Sequence, residues 1–323
     1  MTERHYIFGP VPSRRLGFSL GVDLVPYKTC TQDCLYCQLG PTDKTTLERK
    51  EYVPIVEVLA ELREVLREGG RIDWITLSGS GEPTLNLKIG ELIPEIKKLT
   101  KIPVAILTNG TLLIYPEVRE ALREIDLVVP SLDAGSEENF RRVNRPYPEL
   151  SLKKLVRGTA DFAAGFSGQV WLEVMLLKDI NDSGDELEQI ARRIKTIRPE
   201  NVQLNTVVRP PADAEARALD HDQLRAAQKF LQSQLVSIPV EIVAGFSGKR
   251  DKVMNEDIRM AILTYLKRRP ATLGDLSATF GLHRNEVIKY LGHLLEEKKI
   301  KERLSGREKY FVCSAEENPG LWG

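Results

Sequence analysis

No run of about 18 apolar residues occurs in the sequence, so no membrane-spanning helix is expected. The first residues, MTERHYIFGPVPSRR, lack the apolar stretch of a secretion signal. A cytoplasmic protein without membrane association is therefore expected. Charge of one dominant sign is also missing: 46 Lys and Arg balance 46 Asp and Glu. A neutral chain has no global attraction for nucleic acid or lipid. Cysteine is scarce, with four in 323 residues, and so is histidine, again with four. Yet Cys30, Cys34 and Cys37 fall within eight residues. Three thiols cannot pair among themselves, and such clustering points to metal rather than disulfides. Cys313 stands alone and reads as a small buried hydrophobe. Repeats and low-complexity tracts are absent, and 42% hydrophobic residues suffice for a packed core.

What is present is a repeated alternation. Strand-like runs occupy 18–25, 73–79, 104–110, 126–133, 171–177, 202–208 and 240–243. They are short, rich in β-branched residues and followed by Gly, Pro, Asn or Asp. Between them lie amphipathic runs such as 53–68, 87–99, 116–125 and 185–197, apolar at i, i+3 and i+4. The order predicts an α/β fold with a parallel sheet, as a partial or full (β/α) barrel or a doubly wound sheet. In either case chemistry belongs at the C-terminal strand ends. Polar residues gather there: Ser78, Gly79, Gly81 and Glu82; Thr108 and Asn109; Ser131 and Asp133; Glu173 and Met175; Gln203 and Asn205.

The thiols are spaced Cys30, three residues, Cys34, two residues, Cys37. Thiolates suit iron–sulfur clusters and zinc. Structural zinc wants four ligands, and only three are local, the flanking histidines being His5 and His221. A cubane on three cysteines would keep one iron open to a ligand. On the residues alone, that cluster, a structural zinc and a non-catalytic cluster loop all stand.

The CxxxCxxC spacing, with Tyr36 just before the last cysteine, resembles the radical S-adenosylmethionine (SAM) signature. SGSGEP (78–83) is similar to that superfamily's glycine–glutamate motif, with Ser80 in place of its first glycine; TNG (108–110) resembles the segment after the third strand. The resemblance covers roughly residues 18 to 243. It implies the partial (β/α) barrel of that superfamily. It implies a [4Fe–4S] cluster on Cys30, Cys34 and Cys37, with SAM chelating the open iron. Reductive cleavage of SAM would give a 5′-deoxyadenosyl radical that abstracts hydrogen from substrate, in an oxygen-sensitive enzyme. Gly81 and Glu82 would contact the amino end of SAM, and Glu173 its ribose. Tyr36, Ser78, Gly79, Thr108, Asn109, Ser131, Asp133 and Met175 are the other candidate cofactor contacts. Arg14, Arg15, Arg142, Arg145, Gln203 and Asn205 are candidate substrate contacts. A low-potential electron donor such as flavodoxin or ferredoxin is the implied partner. The N-terminal GPVPSRRLGFSLGVDLVPYKTC matches a group distantly similar to the wybutosine-synthesising enzymes. No cysteine precedes Cys30, so a second N-terminal cluster is not expected.

The pattern changes after about residue 245. A polar stretch, 246–255, reads as a linker between a barrel domain (1–245) and a smaller one (256–323). An amphipathic helix (257–269) is followed by LGDLSATF, capped by Thr272 and ended by Gly281, and a longer helix (283–300). Two strand-like arms then flank Ser305-Gly306. This is the order of a winged helix-turn-helix. Residues 255–314 carry twelve Lys/Arg against eight Asp/Glu. His283, Arg284 and Asn285 would open a recognition helix, and Lys301, Arg303, Arg307 and Lys309 would lie on the wing. Nucleic acid or a partner protein is the expected ligand of this module. Beside the enzyme reading stand a regulator binding DNA through the winged helix and an activase acting on a partner protein.

Overall fold

The computed structural model describes residues 5–13, 15–42, 45–208, 211–243, 256–305 and 308–314. Its larger sheet has eight strands: β1 (Ile7–Ser13), β2 (Gly17–Val22), β3 (Trp74–Leu77), β4 (Val104–Thr108), β5 (Leu127–Pro130), β6 (Gln169–Leu176), β7 (Asn201–Thr206) and β8 (Val240–Ile242). They lie side by side in chain order. From β2 to β8 every pairing is parallel; β1 alone runs antiparallel, against β2. An order without reversal is the winding of a (β/α) barrel, not of a doubly wound sheet. The sheet has free edges at β1 and β8, so the barrel is partial.

Helices supply the crossovers: α1 (Ile55–Glu68), α2 (Ile89–Leu99), α3 (Pro116–Ala121), the single turn α4 (Glu137–Asn139), α5 (Leu152–Gly165), α6 (Gly184–Ile197) and α7 (His221–Gln234). Their apolar stripes bury Val58, Leu62, Leu92, Ile96, Ile190 and Leu224 against the sheet. β2 to β5 and β7 are buried on both faces along part of their length and read as apolar runs, whereas β6 alternates buried and half-buried residues. All seven parallel strands fall within the runs expected from the sequence or overlap them.

β1 was not expected. It contains Pro10 and Pro12, which cannot donate to a ladder. The structure accommodates them on an edge strand, with the register shifting between Phe8 and Val11.

The C-terminal elements form a separate cluster: α8 (Glu256–Arg268), β9 (Ala271–Thr272), α9 (Leu273–Phe280), α10 (Arg284–Glu296), β10 (Ile300–Ser305) and β11 (Glu308–Cys313). The strands make an antiparallel sheet in the order β10-β11-β9. Ile262, Leu266, Leu276, Leu291, Leu294 and Phe311 share its core, with Cys313 packed at the margin. Thr272 caps α9 through the Asp275 backbone, and Gly281 closes it at φ 60°. The stretch 246–255 lies outside the described residues. Among the described residues, no helix is long and apolar enough to cross a membrane.

α10 docks on the barrel. His283, its N-cap, stacks on Phe8 of β1 with ring centroids 4.5 Å apart. Its Nε2 lies 3.1 Å from Asp23 Oδ2. Glu286 closes the capping box on His283 and accepts the Gly9 N–H at 2.9 Å. Arg284 sits over the Tyr27 ring at 3.9 Å. In this arrangement the His283 and Arg284 side chains, expected to contact bases, are engaged with the barrel instead.

Candidate active site

Residues at the C-terminal ends of β3 to β7 line a cavity of about 380 Å³, together with the loop that follows β2. That size falls within the roughly 300–1,000 Å³ of small-ligand pockets. Cys30, Cys34 and Cys37 all line it. Their loop is held by short-range bonds: Cys37 N donates to Cys34 O (3.1 Å) and Thr46 N to Cys30 O (2.9 Å). A helical turn, Phe140–Asn144, backs it, accepting from Leu35 N at Val143 O (2.9 Å) and from Asp33 N at Asn144 O (3.1 Å).

Each sulfur has an N–H donor beside it. Asn109 Nδ2 is 3.6 Å from Cys30 Sγ, Asn144 Nδ2 is 3.6 Å from Cys34 Sγ, and Lys28 Nζ is 3.2 Å from Cys37 Sγ. Removal from water pushes the Cys30 thiol up to about 12, with Glu82 nearby adding to the rise. Cys34 is raised well above its ordinary value for the same reason, with Cys30 next in importance. Thiolates placed here ask for positive charge in return.

The Ser78–Glu82 loop closes against the start of the cysteine loop. Glu82 N donates to Thr29 O at 3.0 Å, and Lys28 N donates to Ser80 O at 2.7 Å. A Cβ on Gly81 would lie 1.9 Å from the Thr29 carbonyl oxygen, so only glycine fits this approach. Ser80, the departure from the usual Gly-Gly-Glu, has its own partner. Its N–H and hydroxyl both donate to Asp23, the carboxylate that also meets His283.

Glu82 is buried and serves as a staple. Oε1 accepts from Thr84 N (3.1 Å), Thr84 Oγ1 (2.5 Å) and Thr108 Oγ1 (2.7 Å), and Oε2 from Asn109 N (2.8 Å). Burial raises its pKa while these bonds hold the charge in place. Glu173 is gripped in the same way. Arg15 donates to both its oxygens, at 2.7 and 2.8 Å, and Asn205 Nδ2 donates to Oε1 at 2.8 Å. Arg15, expected as a substrate contact, is itself buried on the cavity wall, with its charge balanced by Glu173. Ser131 bridges to Glu173 across β5 and β6 and lines the cavity, as do Tyr36, Ser78, Gly79, Thr108, Asn109, Met175 and Asn205.

Four expected residues lie elsewhere. Asp133 is buried behind the lining; it accepts from Tyr36 Oη (2.5 Å), Asn144 Nδ2 (2.7 Å) and Met175 N (2.9 Å). Burial lifts its pKa to about 6, and its carboxylate holds Tyr36, which does line the cavity. Gln203 is buried off the cavity, its Oε1 without a partner among the described residues. Arg142 is half exposed, 3.7 Å from Glu215, and Arg145 pairs with Asp213 at 2.8 Å. These pairings are available at the surface, so neither arginine is drawn inward. Arg14 and Arg307 lie outside the described residues. On the hairpin, Lys309 pairs with Glu302 and donates to Pro211 O, while Lys301 and Arg303 are exposed.

Sequence reading missed Lys28, Asp23 and Asn144. Lys28 stands two residues before Cys30, a basic residue beside a thiolate cluster, and carried a usable signal. Asn144 is 110 residues from the sulfur it meets and carried none.

The family model for the radical SAM superfamily matches residues 24–194, more than half the chain, from the end of β2 through α6. The chain belongs to the radical SAM superfamily. It is 36% identical over 311 residues to a UPF0026 protein of Helicobacter pylori, covering 95% of this chain and 97% of that one. It is 41% identical over 300 residues to a Brachyspira hyodysenteriae protein named GTPase Obg, covering 92% of this chain but 44% of the relative. The chain therefore spans less than half the length of that relative. A radical SAM methyltransferase of Sphaerobacter thermophilus shares the fold, with a TM-score of 0.53 at 17% identity over 71% of this chain and 67% of that one.

Radical SAM proteins use a [4Fe–4S] cluster and SAM. The residues fit that pair. Among the described residues no three His, Cys, Asp or Glu side chains converge to hold a single ion. A cubane takes each cysteine at a different iron, so it asks for separated sulfurs on one cavity wall.

Proposed function

We propose that this radical SAM protein is an enzyme whose Cys30, Cys34 and Cys37 hold a [4Fe–4S] cluster. SAM would bind beside it, along Ser78–Glu82, Thr108, Asn109 and Ser131. One observation carries this reading: the three thiols and the glycine–glutamate loop line the same cavity. When bound, the reduced cluster and SAM supply a 5′-deoxyadenosyl radical able to abstract hydrogen from a substrate. The chain's own part is orientation and shielding. Gly81 lets the Ser78–Glu82 loop touch the Thr29 backbone, so hydrogen bonds tie it to the start of the cysteine loop. Glu82 ties that loop to the end of β4, fixing the spacing of Ser78–Glu82 from Thr108 and Asn109. Glu173, clamped by Arg15 and Asn205, presents a rigid polar edge on β6. Lys28 places a positive charge at Cys37, which favours a more reduced cluster. A low-potential donor such as flavodoxin or ferredoxin would deliver the electron.

The C-terminal elements, 256 onward, are read as a winged helix-turn-helix domain, joined through 246–255 to a barrel domain. Helix, strand, two helices and a hairpin in that order support this. The regulator reading needs the start of α10 free for bases, and the contacts of His283 with Phe8 and Asp23 and of Arg284 with Tyr27 oppose it.

The test is anaerobic reconstitution, reduction with dithionite, addition of SAM and quantification of 5′-deoxyadenosine. Product above that of a Cys30→Ala/Cys34→Ala/Cys37→Ala control is expected. A chain that holds the cluster but never cleaves SAM, with or without cell metabolites, would sink the proposal.

A further inference from the structure

The cavity is not built by the barrel alone. Two residues of α10, Asn285 and Lys289, line it with the cysteines and the Ser78–Glu82 loop. They are four apart, one helical turn, and so share a face. That face is held toward the barrel by the stack of His283 on Phe8, the His283–Asp23 bond and the Gly9 N–H on Glu286.

Asn285 is 8% exposed, and its Nδ2 is buried without a hydrogen-bond partner among the described residues. A buried amide donor left unsatisfied is destabilising unless a ligand completes it. Two further cations lie on the lining: Arg15, paired with Glu173, and Lys28, against Cys37. Lys289 adds a third positive charge from the C-terminal side. Amide donors and an ammonium group one turn apart suit an oxyanion.

We propose that α10 is a substrate-binding wall, in which Asn285 and Lys289 take the anionic oxygen group, a carboxylate or a phosphate, of a small substrate. This rests on the enzyme reading above and deepens it. It gives the C-terminal domain a role in specificity: its helix faces inward and selects what the barrel attacks. The cavity's volume of about 380 Å³ lies within the range of small-molecule pockets.

The test uses the full chain, reconstituted with its cluster and saturated with SAM. Inorganic phosphate and acetate are titrated separately by calorimetry, which distinguishes the two sources of the oxyanion. At least one is expected to bind. Asn285→Ala and Lys289→Ala should each weaken it about tenfold or more, and Lys289→Arg should restore most of the loss. The SAM-induced change in the electron paramagnetic resonance (EPR) signal of the reduced cluster should be the same in all four proteins, showing that the barrel is intact. Anion binding indifferent to both alanine substitutions, or no binding of either anion, overturns the proposal. So does a random-sequence DNA duplex that displaces the anion through Asn285 and Lys289, which would make the ligand a nucleic acid. A cluster unresponsive to SAM would instead remove the enzyme reading, leaving the anion titration to judge the wall.

Discussion

At the strand ends of the barrel, buried polar side chains are bonded to one another. Among the described residues Glu82 accepts four hydrogen bonds, Asp133 three and Glu173 at least three. On α10 the situation differs: Asn285 lines the same cavity, and its amide nitrogen has no partner among the described residues. The protein's own donors fix these three carboxylates, as a site for an invariant cofactor requires. The barrel atoms that lack a partner among the described residues, on Asn144, Asn201 and Gln203, are acceptors, whereas that of Asn285 is a donor. A buried donor left open awaits a ligand from outside. This contrast agrees with the roles proposed above, cofactor handling by the barrel and substrate choice by the C-terminal helix.

The strongest way to break this comparison is to remove a sulfur. Cys34→Ala should abolish cluster assembly, seen as loss of the visible iron–sulfur absorption after reconstitution. The C-terminal unit should keep its fold, because its core is separate. Next in size is Glu82→Ala. It strips acceptors from Thr84, Thr108 and Asn109 in a buried place and should cost about 3 kcal/mol in urea unfolding of the apo chain. A loss below about 0.5 kcal/mol would contradict the staple role.

His283→Ala probes the joint between the two regions. It deletes the stack on Phe8 and the bond to Asp23 and should weaken docking by about 1–2 kcal/mol. Hydrogen exchange should quicken in β1 and the first turn of α10 while β4 to β6 stay protected. Equal change everywhere would mean that the joint is not local. The smallest effect is expected from Lys28→Ala. Losing a positive charge 3.2 Å from Cys37 Sγ should shift the cluster midpoint negative, on the order of tens of millivolts, in a redox titration. A positive shift would contradict the assigned role.

Much of the fold was legible because local patterns and global order agree. The seven parallel strands announced themselves as apolar runs between amphipathic helices, and the cysteine spacing with SGSGEP located the cavity. β1 was hidden because prolines at 10 and 12 read as strand breakers, and only an edge position with a bulge reconciles them. The partners of the site residues were hidden by distance along the chain. Arg15 and Glu173 are 158 residues apart, and Gly9 and Glu286 are 277 apart. His283, Arg284 and Asn285 look from the sequence like the start of a base-reading helix. Nothing local reveals that Phe8 and Asp23 engage His283 and that Tyr27 engages Arg284. Asp133 looked like a ligand contact for a similar reason: a carboxylate at a strand end does not disclose that Tyr36 and Asn144 already occupy it.

The most direct measurement is the EPR spectrum of the reduced, reconstituted protein with and without SAM. The account predicts a [4Fe–4S]⁺ signal that changes shape when SAM is added and is missing from Cys34→Ala. A signal indifferent to SAM, or a protein that takes up one zinc ion and no iron, would contradict it.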